Sequence, residues 1–233
     1  TTDVNGSGFV DAAEPLADDN RAGVRIAGVS GAVTSAELRA ADGVTPVTQG
    51  AMYLGGALPV ALGAVLHGCA LPGGGSAASC VPVVAPPAVL YSTSLNMHAT
   101  VVQGNTTIQI DTKTGKAVLR LREPAGGPVT GYLFDDRGTP TVAIALALYL
   151  DAPDLVIPLI AHDLHSKPIA VTLRGPVRFL PDGRLAIAPV NTADVAIDVN
   201  VSATGLTGAI ALVIPRGEMK LTLVSPPVRG GLP

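Results

Sequence analysis

Thr141-Val-Ala-Ile-Ala-Leu-Ala-Leu-Tyr-Leu150 decides the fold class. In an extended chain Val142, Ile144, Leu146, Leu148 and Leu150 share one face, while Ala143, Ala145, Ala147 and Tyr149 share the other. The period is two and neither face is polar, so this strand has to be covered on both sides. The stretch 209–214 repeats the pattern, with Ile210, Leu212 and Ile214 opposed by Ala209, Ala211 and Val213. Around them lie strands with one wet face. Val195, Ile197, Val199 and Val201 alternate with Ala196, Asp198 and Asn200, and Met219, Leu221 and Leu223 alternate with Glu218, Lys220 and Thr222.

Turn chemistry separates these runs. Asp182-Gly183 accepts the positive φ of a tight hairpin turn between Phe179 and Leu185. A second hairpin is expected where Ile108 and Ile110 precede Leu119 and Leu121, with 111–116 as its turn. Asp135 and Asp136 before Arg137-Gly138 also read as a solvated turn rather than paired catalytic carboxylates. Roughly ten short strands between Leu95 and Val224, spaced by turns, point to an antiparallel sheet and away from βαβ units.

The apolar stretch 51–71 is the exception. It is about long enough to span a bilayer, but Pro59, several glycines and the absence of flanking Lys or Arg argue against a membrane span. It reads as a buried helix over 58–68. The expected fold is therefore mainly β: a curved antiparallel sheet, sandwich or half-barrel with one packed apolar helix around 58–68. Residues 1–22 form an acidic N-terminal segment, 23–225 a single mainly-β domain and 226–233 a tail, and the proline-rich 81–87 separates a Gly/Ala-rich zone from the alternating one.

Composition narrows the function. The 233 residues are 48% hydrophobic and 14% charged, which excludes a disordered chain. A net charge of −3 leaves no basic footprint for nucleic acid. Aromatics are 3% with no Trp, so stacking platforms for bases or sugars are not expected. A mean hydropathy of +0.45 with so few aromatics is high for a globular domain, and it points to an apolar ligand. Cys69 and Cys80 enclose a flexible Gly/Ser-rich segment and are expected to pair, which places the chain in an oxidising, extracytoplasmic compartment: periplasmic, cell-surface or secreted.

Asp3-Val-Asn5-Gly-Ser7-Gly8-Phe9-Val10-Asp11-Ala-Ala-Glu14 places oxygen-bearing side chains at loop positions 1, 3, 5, 9 and 12 and glycine at position 6. Ca²⁺ takes six to eight hard oxygens; here Asp3, Asn5, Ser7, Asp11 and Glu14 offer side chains and Phe9 its carbonyl. The loop resembles those of EF-hand and dockerin-like proteins, a resemblance confined to residues 3–14. It implies a Ca²⁺ cofactor, bound weakly because Asn5 and Ser7 replace acidic ligands.

His162-Asp163-Leu164-His165 brings two imidazoles and a carboxylate within four residues, the raw material of a metal-dependent hydrolase. On a strand, however, the two histidines face opposite sides. No nucleophile elbow, zinc-protease motif or phosphate loop accompanies them.

The reading that uses most of these features is an extracytoplasmic binding protein for a lipid, acyl chain or sterol-like molecule, without catalysis. Leu62, Leu66, Ile144, Leu146, Leu148, Ile210 and Leu212 are its expected ligand lining. A calcium-stabilised structural or adhesive module partnered by an envelope protein is the alternative, and a metal-dependent hydrolase is the third. Association with a membrane surface, without spanning it, is compatible with the first two.

Overall fold

The structure, a computed structural model, describes residues 28–39, 46–56, 60–85, 87–103, 106–123, 127, 129–153, 160–181, 184–203 and 206–225. The Ca²⁺ loop at 3–14 and the segments 1–22 and 226–233 lie outside them. All regular structure among the described residues is strand.

The strands are β1 (Gly28–Arg39), β2 (Pro46–Gly56), β3 (Ala61–Leu62), β4 (Leu66–Ala70), β5 (Ser76–Val84), β6 (Val89–Gln103), β7 (Thr106–Arg122) and β8 (Val129–Asp136). They continue as β9 (Thr139–Asp151), β10 (Ile160–His162), β11 (Lys167–Phe179), β12 (Leu185–Ile187), β13 (Val190–Asn191), β14 (Val195–Ala203), β15 (Leu206–Ile214) and β16 (Met219–Val224). Every pairing is antiparallel, and the pairings close on themselves. The ring runs β1-β2-β6-β7-β9-β11-β12-β16 and back to β1. Closing a sheet in this way removes its edges. Two arms leave the ring: β15, β14 and β10 continue from the end of β1, and β8, β5, β4 and β3 continue from the start of β9.

Alternation explains the core. In β16, Met219, Leu221 and Leu223 are buried while Lys220 and Thr222 are exposed, as expected from the sequence. Val142, Ile144, Leu146, Leu148 and Leu150 of β9 join Val171 and Leu173 of β11 and Ile197 and Leu212 of the first arm in one cluster. Leu173 is completely buried, and each such leucine stabilises the fold by about 1.5–3 kcal/mol. The second face of β9 is covered only over its first half. There Ala143 packs beneath Phe134, Cys69 and Cys80, whereas Ala145 is exposed.

Two expectations need correction. Residues 58–68 hold no helix in their described part: Leu62 belongs to β3 and Leu66 to β4, both paired to β5. Gly63 and Gly68 each cost a helix about 1 kcal/mol, and pairing with β5 satisfies the same backbone groups. The segment 111–116 is not a turn, because β7 runs unbroken through it and its ladder with β6 only shifts register between Tyr91 and Asn96. Such an irregularity bends and re-phases a strand without ending it. The proline-rich 81–87 is extended where β5 runs through it, the backbone its prolines favour. Val81 to Val84 pair with β8, and the buried Pro82 accepts a bond from Gly63 N through its carbonyl.

The turn at Arg137-Gly138 is as read, and of the hairpin at 179–185 the strands are described while its Asp182-Gly183 turn lies outside the described residues. Arg137 and Gly138 both adopt positive φ between β8 and β9, and Phe179 pairs with Leu185 across the β11–β12 hairpin.

Candidate functional site

The inside of the ring is the candidate site, and its walls differ in height. β9 ends at Asp151, opposite Val118, and β11 begins at Lys167. β6 and β7 continue past that level to Gln103 and Thr106, and β1 and β2 run with them. Among the described residues the barrel is therefore cut away on one side, like a scoop with a short wall of β9 and β11 and a long wall of β1, β2, β6, β7, β14 and β15.

Inside the closed part, packing is tight. Leu148, Leu150, Ile169 and Val171 of the short side face Ile197, Leu212 and Ile214, and the gap between them holds about 20 Å³. A second gap of about 20 Å³ lies among Val60, Leu62, Val83, Val177 and Leu185. Each has room for about one water, far below the roughly 300–1,000 Å³ of a ligand pocket. Of the lining residues expected from sequence, Ile144, Leu146, Leu148 and Leu212 thus meet in one core, and Leu62 packs against it. Leu66 is separated from them, because it lies against the Cys69–Cys80 cluster on the other face. The side chain of Ile210 lies outside the described residues.

The outer face where β7 meets the ends of β9 and β11 is polar, and sequence reading did not find it. Arg120 pairs with Asp151 and donates to Ser166 Oγ at 2.8 Å. Ser166, at φ +54, donates its N–H to Asp151 Oδ1 at 2.6 Å. Burial pushes the Asp151 carboxyl up, but the Ser166 bonds and the Arg120 charge outweigh it and hold the group below its ordinary value. Beside it, Arg122 donates to Tyr149 Oη at 2.9 Å and stacks 4.9 Å above that ring. The only advance signal was the Arg120-Leu-Arg122 alternation, since Asp151 and Ser166 are distant in sequence.

The histidine cluster is structural. His162 is buried; its Nδ1 accepts the Leu164 N–H at 3.1 Å, and Nε2 stands 3.0 Å from Pro153 O, so Nε2 carries the proton. Both ring nitrogens are engaged and neither is available to a metal. Asp163 turns away to accept from Lys167 Nζ at 2.6 Å and from Asn200 N and Nδ2 at 2.8 and 2.7 Å. Lys167 first, with Asn200, draws its pKa down to about 2 against the burial that raises it. His165 stacks on His162 at 5.4 Å between ring centres. An open depression of about 450 Å³ beside Asp163 and Asn200 lies on the outer face of β10, β14 and β15. Among the described residues no group of three or more His, Cys, Asp or Glu is placed to hold a metal.

Among the described residues, then, the inside of the ring is apolar and closely packed. The chain is 31% identical over 174 residues to Alkane uptake protein B of Marinobacter nauticus. That alignment takes in 64% of this chain and 16% of the relative, so the chain spans about one sixth of that protein's length. No protein-family profile matches the chain, and no solved structure matches it.

Proposed function

We propose that this chain is an extracytoplasmic β-module that binds an aliphatic ligand during hydrocarbon uptake. The similarity to a protein named for alkane uptake carries the reading, and an antiparallel ring lined by Leu, Ile, Val and Ala is the chemistry such a ligand needs. The Cys69–Cys80 disulfide supports an oxidising compartment. The test is direct: the oxidised full chain is equilibrated with radiolabelled hexadecane, freed of unbound alkane, and counted. Retention at a defined stoichiometry supports the proposal, and no retention above a control protein rejects it.

A second reading is favoured by one observation. The described core leaves only water-sized gaps, as a purely structural module would. In that case Ca²⁺ at Asp3, Asn5, Ser7, the Phe9 carbonyl, Asp11 and Glu14 would stiffen the start of the chain and the partner would be an envelope protein. Millimolar Ca²⁺ should then give a calorimetric signal that Asp3→Ala removes.

A further inference from the structure

We propose that the inner register of the long wall, beyond the closed ring, is the binding face, and that it takes an unbranched hydrocarbon chain without a charged head group. This rests on the binding reading above and assigns it a place and a ligand class.

Backbone register carries the face outward from the described core. Leu212, buried in the core, stands opposite Leu38, and Leu38 stands opposite Thr48. Thr48 stands opposite Ala99, which stands opposite Ile110. Directly opposed residues of an antiparallel ladder share a face, so one surface runs across β15, β1, β2, β6 and β7. Alternation adds Met97, Val101 and Ile108 to it.

Charge marks this surface off. The six long-wall strands carry Glu37, Arg39, Asp111, Lys113, Lys116, Arg120, Arg122 and Asp198, and all of them fall on the other register. Glu37 stands opposite Val213, Asp198 opposite Ala211, Asp111 opposite His98 and Lys113 opposite Asn96. Within the ring, β9 and β11 cover the inner face and complete an ordinary core. Past Asp151 and Lys167 those two strands no longer continue, yet the charge-free register does, for about 35 Å along β7 at the usual strand rise. A face that excludes charge beyond the reach of its own covering strands suits an extended alkyl chain. It carries Thr48 and Thr112 but no cation, so the charge of a carboxylate laid there would find no counter-ion.

The test uses the oxidised full chain, with labelled hexadecane and labelled hexadecanoate at pH 7. Wild type is expected to retain hexadecane and to bind hexadecanoate at least tenfold more weakly. Ile110→Asp should lose tenfold or more of the hexadecane retention, Ile110→Thr severalfold, and Gln109→Asp, one residue away on the other register, nothing. Ile110→Thr decides the question if Ile110→Asp does not fold, with thermal melting as the check on both. Folded Ile110 variants that retain hexadecane as wild type does would overturn the location while leaving the binding reading intact. Equal affinity for hexadecanoate would overturn the ligand class. A wild type that retains no hexadecane would overturn the binding reading itself.

Discussion

Met219 N–H donates to Asn191 Oδ1 at 2.8 Å, in a place where Asn191 is 1% exposed. The same side chain donates through Nδ2 to the carbonyls of Ala193 and Pro215, both at 2.8 Å, and the Asn191 carbonyl accepts from Gly217 N. One asparagine thus ties β13 to the turn that delivers β16 into the ring. Asn191→Ala would take from the buried Met219 N–H and the Ala193 carbonyl the bonds that Asn191 gives them, while the Pro215 carbonyl keeps its bond from Glu218 N, at a cost of about 2–4 kcal/mol. In a chain of this size that is a fall in Tm of about 4–16 °C. Asn191→Asp should lower Tm too, because a carboxylate cannot donate to the two carbonyls. Melts of either variant within 2 °C of wild type would show that Asn191 does not fasten this corner.

Gly131 is a packing constraint of a different kind. A Cβ there would lie 2.1 Å from the Ala143 carbonyl oxygen and 2.6 Å from Ile144 Cα, both of them backbone. β8 and β9 can approach so closely only because position 131 has no side chain. Gly131→Ala has to push the strands apart, and a cost of about 3 kcal/mol or more is expected, at the upper end of overpacking. Ala145→Ser, on the exposed part of the same β9, should change stability by less than about 0.5 kcal/mol. Urea denaturation of the two variants side by side reads the contrast.

The strands were legible wherever one face is wet, because alternation at Val195–Val199 or Met219–Leu223 reports burial directly. Apolar runs are ambiguous: 58–68 reads as a helix by composition, and only pairing with β5, which is remote from Leu62 in sequence, resolves it. The break in alternation at 111–116 looks the same whether a chain turns back or re-phases within one strand. Ring closure was not legible at all, since it depends on Val29 meeting Leu223 from the far end of the chain. For the site, Leu148 and Leu212 were found as apolar residues but not as partners in a packed core. The pairing of Arg120 with Asp151 was not legible, because the Arg120-Leu-Arg122 alternation gives a strand face and not its partner.

Cys69 and Cys80 are joined, with Cα atoms 6.4 Å apart, although Cys69 stands opposite Ala77 in the ladder and Cys80 opposite Leu66. Gly68, at φ +72, supplies the bend that brings Cys69 across. Removing the link in Cys69→Ser/Cys80→Ser should cost about 3 kcal/mol in the chain-entropy description, or about 6–12 °C in Tm. Thiol titration of the denatured, unreduced protein should find no free thiol. Two titratable thiols in protein taken directly from cells would contradict both the bond and the compartment inferred from it.

Asp163 gives the fold a pH dependence whose sign can be worked out. Its pKa is about 2 in the folded chain against an ordinary 3.8, chiefly through Lys167 and then Asn200. Between those values the unfolded chain binds more protons than the folded one, so stability increases with pH. The contribution is fully present above about pH 4 and is lost as pH falls toward about 2. Because Asp163 is more than one third exposed, solvent screening keeps the contribution modest. Other carboxylates titrate in the same window, so the informative quantity is the stability difference between wild type and Asp163→Asn. That difference should be constant from pH 5 to 7 and shrink as the pH is lowered to 2. Lys167→Met should leave the onset near pH 4 but make the loss smaller and complete at a higher pH, since it removes the largest cause of the depression and lets the folded pKa rise toward 3.8. A wild-type minus Asp163→Asn difference that stays flat down to pH 2 would show that the carboxylate bridging β10, β14 and β11 contributes no charge-dependent stability.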